Sequence, residues 1–153
     1  METARRASEA DVASIVALEA MARQAIIAQR GGPLLLARDV RPFDPASIDD
    51  PNRLVVLGTI DDVPVGYASV GLSTVEDGVR LAVVESLFVE PEARDVGVGE
   101  AIMDFVLHWS AAQGVSGIDA VALPGDRATK NFFERFGLTA RAIVVHRSLT
   151  EPS

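Results

Sequence analysis

The sequence predicts an α/β fold of the α+β type, with a mixed, mostly antiparallel central sheet of about six strands. Three observations carry this. The chain has 153 residues, 48% of them hydrophobic, which suits one core and not two. Runs rich in β-branched residues at 53–60, 63–72 and 79–89 follow one another at turn spacing, the pattern of an antiparallel meander. Helical periodicity precedes the meander once and follows it twice, with a short apolar run between the later two. No repeat, low-complexity tract or linker divides the chain, so residues 1–153 read as one domain.

Each element has a local reason. Thr3 to Ala7 can form a short strand, and Ser8-Glu9-Ala10-Asp11 resembles a capping box opening a long helix. Val12, Ile15, Val16, Leu18 and Met21 give that helix an apolar face at spacings of three and four. Gly31-Gly32-Pro33 ends it. Prolines at 33, 42, 45 and 51 break the next stretch into a loop with room for a short helix at Leu34 to Arg38. Asp61-Asp62 joins the first two meander strands as a hairpin, and Ser73 to Gly78 turns into the third. Ala101, Ile102, Phe105, Val106 and Trp109 line one side of a helix over Gly99 to Ala112, which Gly114 can stop. Ile118 to Leu123 reads as a buried strand, Asp126 to Phe136 as a helix closed by Gly137, and Thr139 to Leu149 as a last alternating strand.

Composition narrows the function. The net charge of −8 repels nucleic acid and suits a cationic partner such as an amine. No apolar run approaches the ~20 residues of a membrane span, and Met1 to Ala22 mixes charges where a targeting segment would separate them. A cytoplasmic protein without a membrane partner is the expectation. The absence of cysteine excludes thiolate metal sites and cysteine nucleophiles, and His108 and His146 stand apart, so no metal is expected.

The most informative segment is Arg94-Asp95-Val96-Gly97-Val98-Gly99, where glycine-rich backbone runs into a helix start. Free N–H groups of a first helical turn converge there and bind phosphate. A dinucleotide fingerprint would need a third glycine at Ile102 and a parallel βαβ setting, and a P-loop would need Gly-Lys before Ser or Thr; neither is present. From the glycines alone, a plain tight turn remains an equal reading.

The flanks resolve it. Val84-Glu85-Ser86-Leu87-Phe88-Val89-Glu90-Pro91-Glu92-Ala93-Arg94-Asp95-Val96-Gly97-Val98-Gly99 resembles motif A of the GNAT superfamily of acyl-CoA-dependent N-acyltransferases, whose signature is Arg/Gln-x-x-Gly-x-Gly/Ala. Arg94, Gly97 and Gly99 match it. Phe132-Phe133-Glu134-Arg135-Phe136-Gly137-Leu138 resembles the motif B helix, and the element order agrees from Thr3 to Leu149. The resemblance implies helices on both faces of the sheet and a splay between the fourth and fifth strands. It implies acetyl-CoA, or another acyl-CoA, as co-substrate. Amides of Asp95, Val96, Gly97, Val98, Gly99 and Glu100 would hold the pyrophosphate. The backbone of Leu87, Phe88 and Val89 would take the pantetheine arm, and a bulge near Leu87 would aim an N–H at the thioester carbonyl.

Several residues depart from the family. Phe133 stands where many members carry the tyrosine that protonates the departing thiolate, and phenylalanine gives no proton. Asp126 replaces a common cofactor-contacting asparagine, and Asp95 and Glu100 add negative charge to an anion site. As general base the sequence offers Glu85, two residues before Leu87, with alternation setting Glu85, Leu87 and Val89 on one face. A solvated strand glutamate is the competing reading. The expected activity is transfer to a primary amine, of a small molecule or of a peptide or protein, by direct attack in a ternary complex. A catalytically silent CoA-binding sensor is the alternative, and a nucleotide-binding protein unrelated to CoA is a third. The resemblance and the apolar Ala142 to Val145 also point to a homodimer.

Overall fold

The computed structural model describes residues 1–150. Strand β1 (Glu2–Arg6) leads through a 3-10 turn into helix α1 (Val12–Ile27), and α2 (Gly32–Arg38) follows after a left-handed Gly31. The meander is β2 (Arg53–Ile60), β3 (Val63–Thr74) and β4 (Arg80–Val89). Helix α3 (Val98–Ala112), strand β5 (Gly117–Ala120) and helix α4 (Arg127–Arg135) complete the regular structure. The sheet order is β1-β2-β3-β4-β5, antiparallel except for the parallel β4–β5 pair.

The capping box forms as the sequence suggests. Asp11 accepts the Ser8 N–H at 2.8 Å and a bidentate grip from Arg5 at 2.7 and 2.8 Å, tying β1 to the start of α1. Asp61 and Asp62 both take positive φ, which a two-residue hairpin of the primed kind requires. The buried stripe of α1 is Ile15, Leu18 and Ala22; Val16 and Met21, expected on it, face outward.

Two apolar layers sandwich the sheet. On one face Leu54, Val56, Ala68, Val70 and Val84 pack beneath Val98, Ile102 and Val106 of α3. On the other, Val55, Leu57, Tyr67 and Phe88 pack against α1. Helix α3 lies so close to β2 that a Cβ on Gly58 would sit 2.6 Å from Val98 and 2.7 Å from Ile102, so only glycine admits this approach.

Two expectations are corrected. Among the described residues the sheet has five strands rather than six: 139–149 carries no sheet pairing, and β5 stops at Ala120 instead of Leu123. The early end of β5 has its counterpart in β4. Its pairing with β5 covers only Leu81 to Val84, and beyond that an irregularity turns β4 away, because Val70 opposes Val84 while Ser69 opposes Ser86. Glu85 is the extra residue of a β-bulge.

Candidate active site

The bulge divides β4 into a part covered on both sides and a part with one open edge. From Ser86 to Val89 the strand pairs with β3 on one side, and β5 no longer covers the other. This open edge ends at the glycine loop. There a 3-10 turn over Pro91–Ala93 is followed by Asp95 at φ +65° and Gly97 at φ +96°, and α3 begins at Val98. Asp tolerates the left-handed region and Gly occupies it without a steric penalty, so the sequence accommodates the reversal into α3, whose first-turn amides have no carbonyl partner within the helix. Arg94 fastens the loop to the strand: its Nε donates to the Val89 carbonyl at 3.0 Å, and its guanidinium lies 5.8 Å from the centre of the Phe88 ring.

The negative charge that Glu100 brings to the start of α3 is partly offset. Arg135 of α4 reaches Glu100 at 3.4 Å and also stacks 5.5 Å from the Phe132 ring centre. A Cβ on Gly99 would sit 3.1 Å from Phe132, so α3 and α4 meet edge to edge here. Phe133 is buried and packs edge-on to Phe132 at 5.7 Å. Asp126 caps α4, taking the Thr129 N–H at 3.1 Å and the Thr129 hydroxyl at 2.6 Å.

Glu85 lies elsewhere than alternation placed it. Leu87 and Val89 pack toward α3, whereas Glu85 forms an ion pair with Arg53 on the α1 face. The bulge breaks the two-residue period, so parity counted from Leu87 fails at this residue. The pair is well shielded, at 15% and 16% side-chain exposure, and Arg53 also donates to Ser69 Oγ at 3.3 Å. One guanidinium thus spans β2, β3 and β4.

Around it lies a polar cluster that local pattern did not reveal. Tyr67 on β3 is buried, which pushes its hydroxyl up to about 12; the Ser86 hydroxyl and Arg23 act in the opposite direction, and Glu19 adds to the rise. Glu19 accepts the Phe43 N–H at 2.6 Å and so pins the loop after α2 onto α1. Arg23 lines a cavity of about 380 Å³ with Gln24, Ile27, Pro33, Leu36 and Ala37, and its Nη1 is buried without a hydrogen-bond partner among the described residues. A signal for Arg53 did exist: it shares parity with Val55 and Leu57 on the inward face of an apolar strand.

Among the described residues no three His, Cys, Asp or Glu side chains are placed to hold a metal ion, and no helix is long and apolar enough to cross a membrane.

A family model for the acetyltransferase (GNAT) family matches residues 21–138. No curated protein matches the chain. Among solved structures, a tetramutant of the BH1408 protein from Bacillus halodurans superposes with a TM-score of 0.81 at 16% identity, over 95% of this chain and 99% of that one. AAC(6')-Iy, solved with the bisubstrate analog CoA-S-monomethyl-acetylneamine, gives 0.73 at 16% identity, over 98% and 99%. A ribosomal-protein-alanine N-acetyltransferase from Brucella melitensis biovar Abortus 2308 gives 0.70 at 14%, over 97% and 100%. At such identities the likeness concerns the fold.

Proposed function

Because the chain belongs to the GNAT family of acetyltransferases, we propose that it is an N-acetyltransferase moving an acetyl group from acetyl-CoA to a primary amine by direct attack. The observation that carries this reading is the end of β4, where an unpaired strand edge runs into a left-handed loop and a helix N-terminus. Such an edge accepts an extended amide-bearing chain as an added strand, and amides of a first helical turn hold phosphate oxygens. The residues present therefore fit a pantetheine arm along Leu87 to Val89 and a pyrophosphate at Asp95 to Glu100. Arg94 would act by fixing the loop, and Phe133 by packing α4 beneath it. The bound co-substrate supplies an activated acyl carbon.

The remaining chemistry falls to the α1 face. Transfer joins the amine nitrogen to the acyl carbon and breaks the carbon–sulfur bond, while one proton leaves the nitrogen and the thiolate departs. A thiolate is an adequate leaving group near neutral pH, consistent with Phe133 in place of a proton donor. Glu85, held by Arg53, takes the amine proton directly or through one water. Backbone N–H groups of β4 past the bulge, no longer taken by β5, stabilise the charge that develops on the carbonyl oxygen. The acceptor amine enters between α1, α2 and the loop pinned by Glu19. A small molecule fits the cavity beside Arg23, and the net charge of −8 favours a cationic amine.

Titration with acetyl-CoA in a calorimeter, followed by thiol-release assays across amines and peptides, tests this reading. Saturable binding and saturable release are expected. No binding of acetyl-CoA would overturn it. Binding without release from any acceptor would favour a CoA-binding sensor instead, a reading to which the hydroxyl-free Phe133 lends support.

A further inference from the structure

Arg23 carries a charge that the fold leaves unmatched. Its Nη1 is buried without a hydrogen-bond partner, and the side chain joins no ion pair among the described residues. Glu19 stands one turn earlier on α1, at the spacing where a carboxylate ordinarily pairs with an arginine. That carboxylate is instead engaged by the Phe43 N–H at 2.6 Å. A guanidinium nitrogen withdrawn from water with no acceptor is costly to keep, so it calls for a partner that the chain itself does not supply.

The cavity of about 380 Å³ that Arg23 lines has the size of a small-molecule site. Arg23 is the one ionisable residue of its wall: Gln24 adds an amide, and Ile27, Pro33, Leu36 and Ala37 are apolar. A single positive charge in such surroundings balances one carboxylate. A phosphate monoester, with a charge of about −2, would stay half neutralised, and a polycation would meet like charge. The cavity is also tied to the reacting end of β4. Arg23 acts electrostatically on the Tyr67 hydroxyl, which is hydrogen-bonded to the Ser86 side chain, and Ser86 directly follows Glu85.

We propose that Arg23 binds a carboxylate of the acceptor, so that the acceptor class is an amino acid: a primary amine that bears its own carboxylate and is otherwise apolar. This rests on the acceptor entering beside α1 and α2, as in the function proposed above. The guanidinium turns about its terminal side-chain torsions toward the cavity and meets the entering carboxylate with two parallel hydrogen bonds. Ile27, Pro33, Leu36 and Ala37 take the apolar part of the molecule. The two ends of the acceptor are thus read by different means. The acidic body, at a net charge of −8, attracts the ammonium group, and one local cation selects what lies at the other end.

Thiol release at saturating acetyl-CoA is compared for leucine, phenylalanine and 6-aminohexanoate, each against its own amide, which keeps the amine and the size but removes the charge. At least one acid should exceed its amide in kcat/KM by about 10- to 100-fold. Arg23→Gln should bring that ratio close to one by raising KM for the acid, and Arg23→Lys, which keeps the charge but not the fork, should retain part of it. Equal use of acid and amide by the parent would overturn the proposal, as would a preference that survives Arg23→Gln in a folded variant, or turnover confined to amines without a carboxylate. If no acceptor releases thiol, calorimetry decides: N-acetylleucine or N-acetylphenylalanine, titrated into the chain with and without CoA, should bind where the corresponding amide does not, and Arg23→Gln should abolish the binding. No such binding would refute the carboxylate subsite, whereas failure of acetyl-CoA itself to bind would count against the acetyltransferase reading alone.

Discussion

Arg5 and Arg53 each hold a carboxylate, but they join different levels of the structure. Arg5 and Asp11 lie six residues apart, and their pair fastens a strand end to the helix that follows. Arg53 and Glu85 lie 32 residues apart and meet only because β2, β3 and β4 are assembled. The first pair is half open to water through Arg5, at 49% side-chain exposure, whereas both members of the second are shielded. A local pair of this kind supports folding. A long-range pair at a bulge fixes one carboxylate relative to the open strand edge, where the proposed chemistry needs a base.

Changes at each pair test that distinction. Glu85→Gln keeps the size and a hydrogen-bonding oxygen for Arg53 but removes the base, so kcat should fall about 100- to 10,000-fold. Acetyl-CoA affinity, read by calorimetry, should stay near the parent value. An unchanged kcat would make Glu85 a structural residue like Asp11.

Asp11 should show the reverse. The Arg5 guanidinium, together with the Ser8 N–H, holds its carboxyl at about 2, below the ordinary 3.8, against the opposing effect of burial. A depressed folded value means that the stabilisation is fully present above pH 3.8 and is lost as the pH falls toward 2. Discounted for the exposed arginine, it amounts to about 1–2 kcal/mol. Asp11→Asn should lose that much in denaturant unfolding at pH 7, with the gap to the parent closing between pH 4 and 2 and little change in kcat.

The smallest effect belongs to a third pair, Lys130 with Glu134 on the exposed side of α4, 3.1 Å apart. Glu134→Gln should cost no more than about 0.5 kcal/mol, and less in high salt. A larger loss would show that exposure is a poor guide to what these pairs contribute.

Much of the fold was legible because its causes are local. The capping box at Ser8, the hairpin at Asp61-Asp62, the left-handed Gly97 and the stop at Gly137 each depend on a few adjacent residues. The glycine loop was legible for the same reason. Glu85 was named from the sequence but set on the wrong face, because a bulge is a mismatch between two strands and neither strand displays it alone. Arg53 and Arg23 went unremarked since their neighbours come from distant elements. Residues 139–149 have a strand's alternation but no sheet pairing, since alternation names a face and not a partner strand.

The bulge also sets a limit on improving this protein. Glu85 is the one residue of β4 with no counterpart in β3, so a chain without it would align Val84 and Ser86 with Val70 and Ser69 in an uninterrupted ladder. Every other side chain of the strand would keep its face. Selection for regularity alone would therefore delete residue 85, and with it the shielded carboxylate and the irregularity beyond which β4 leaves its edge unpaired with β5.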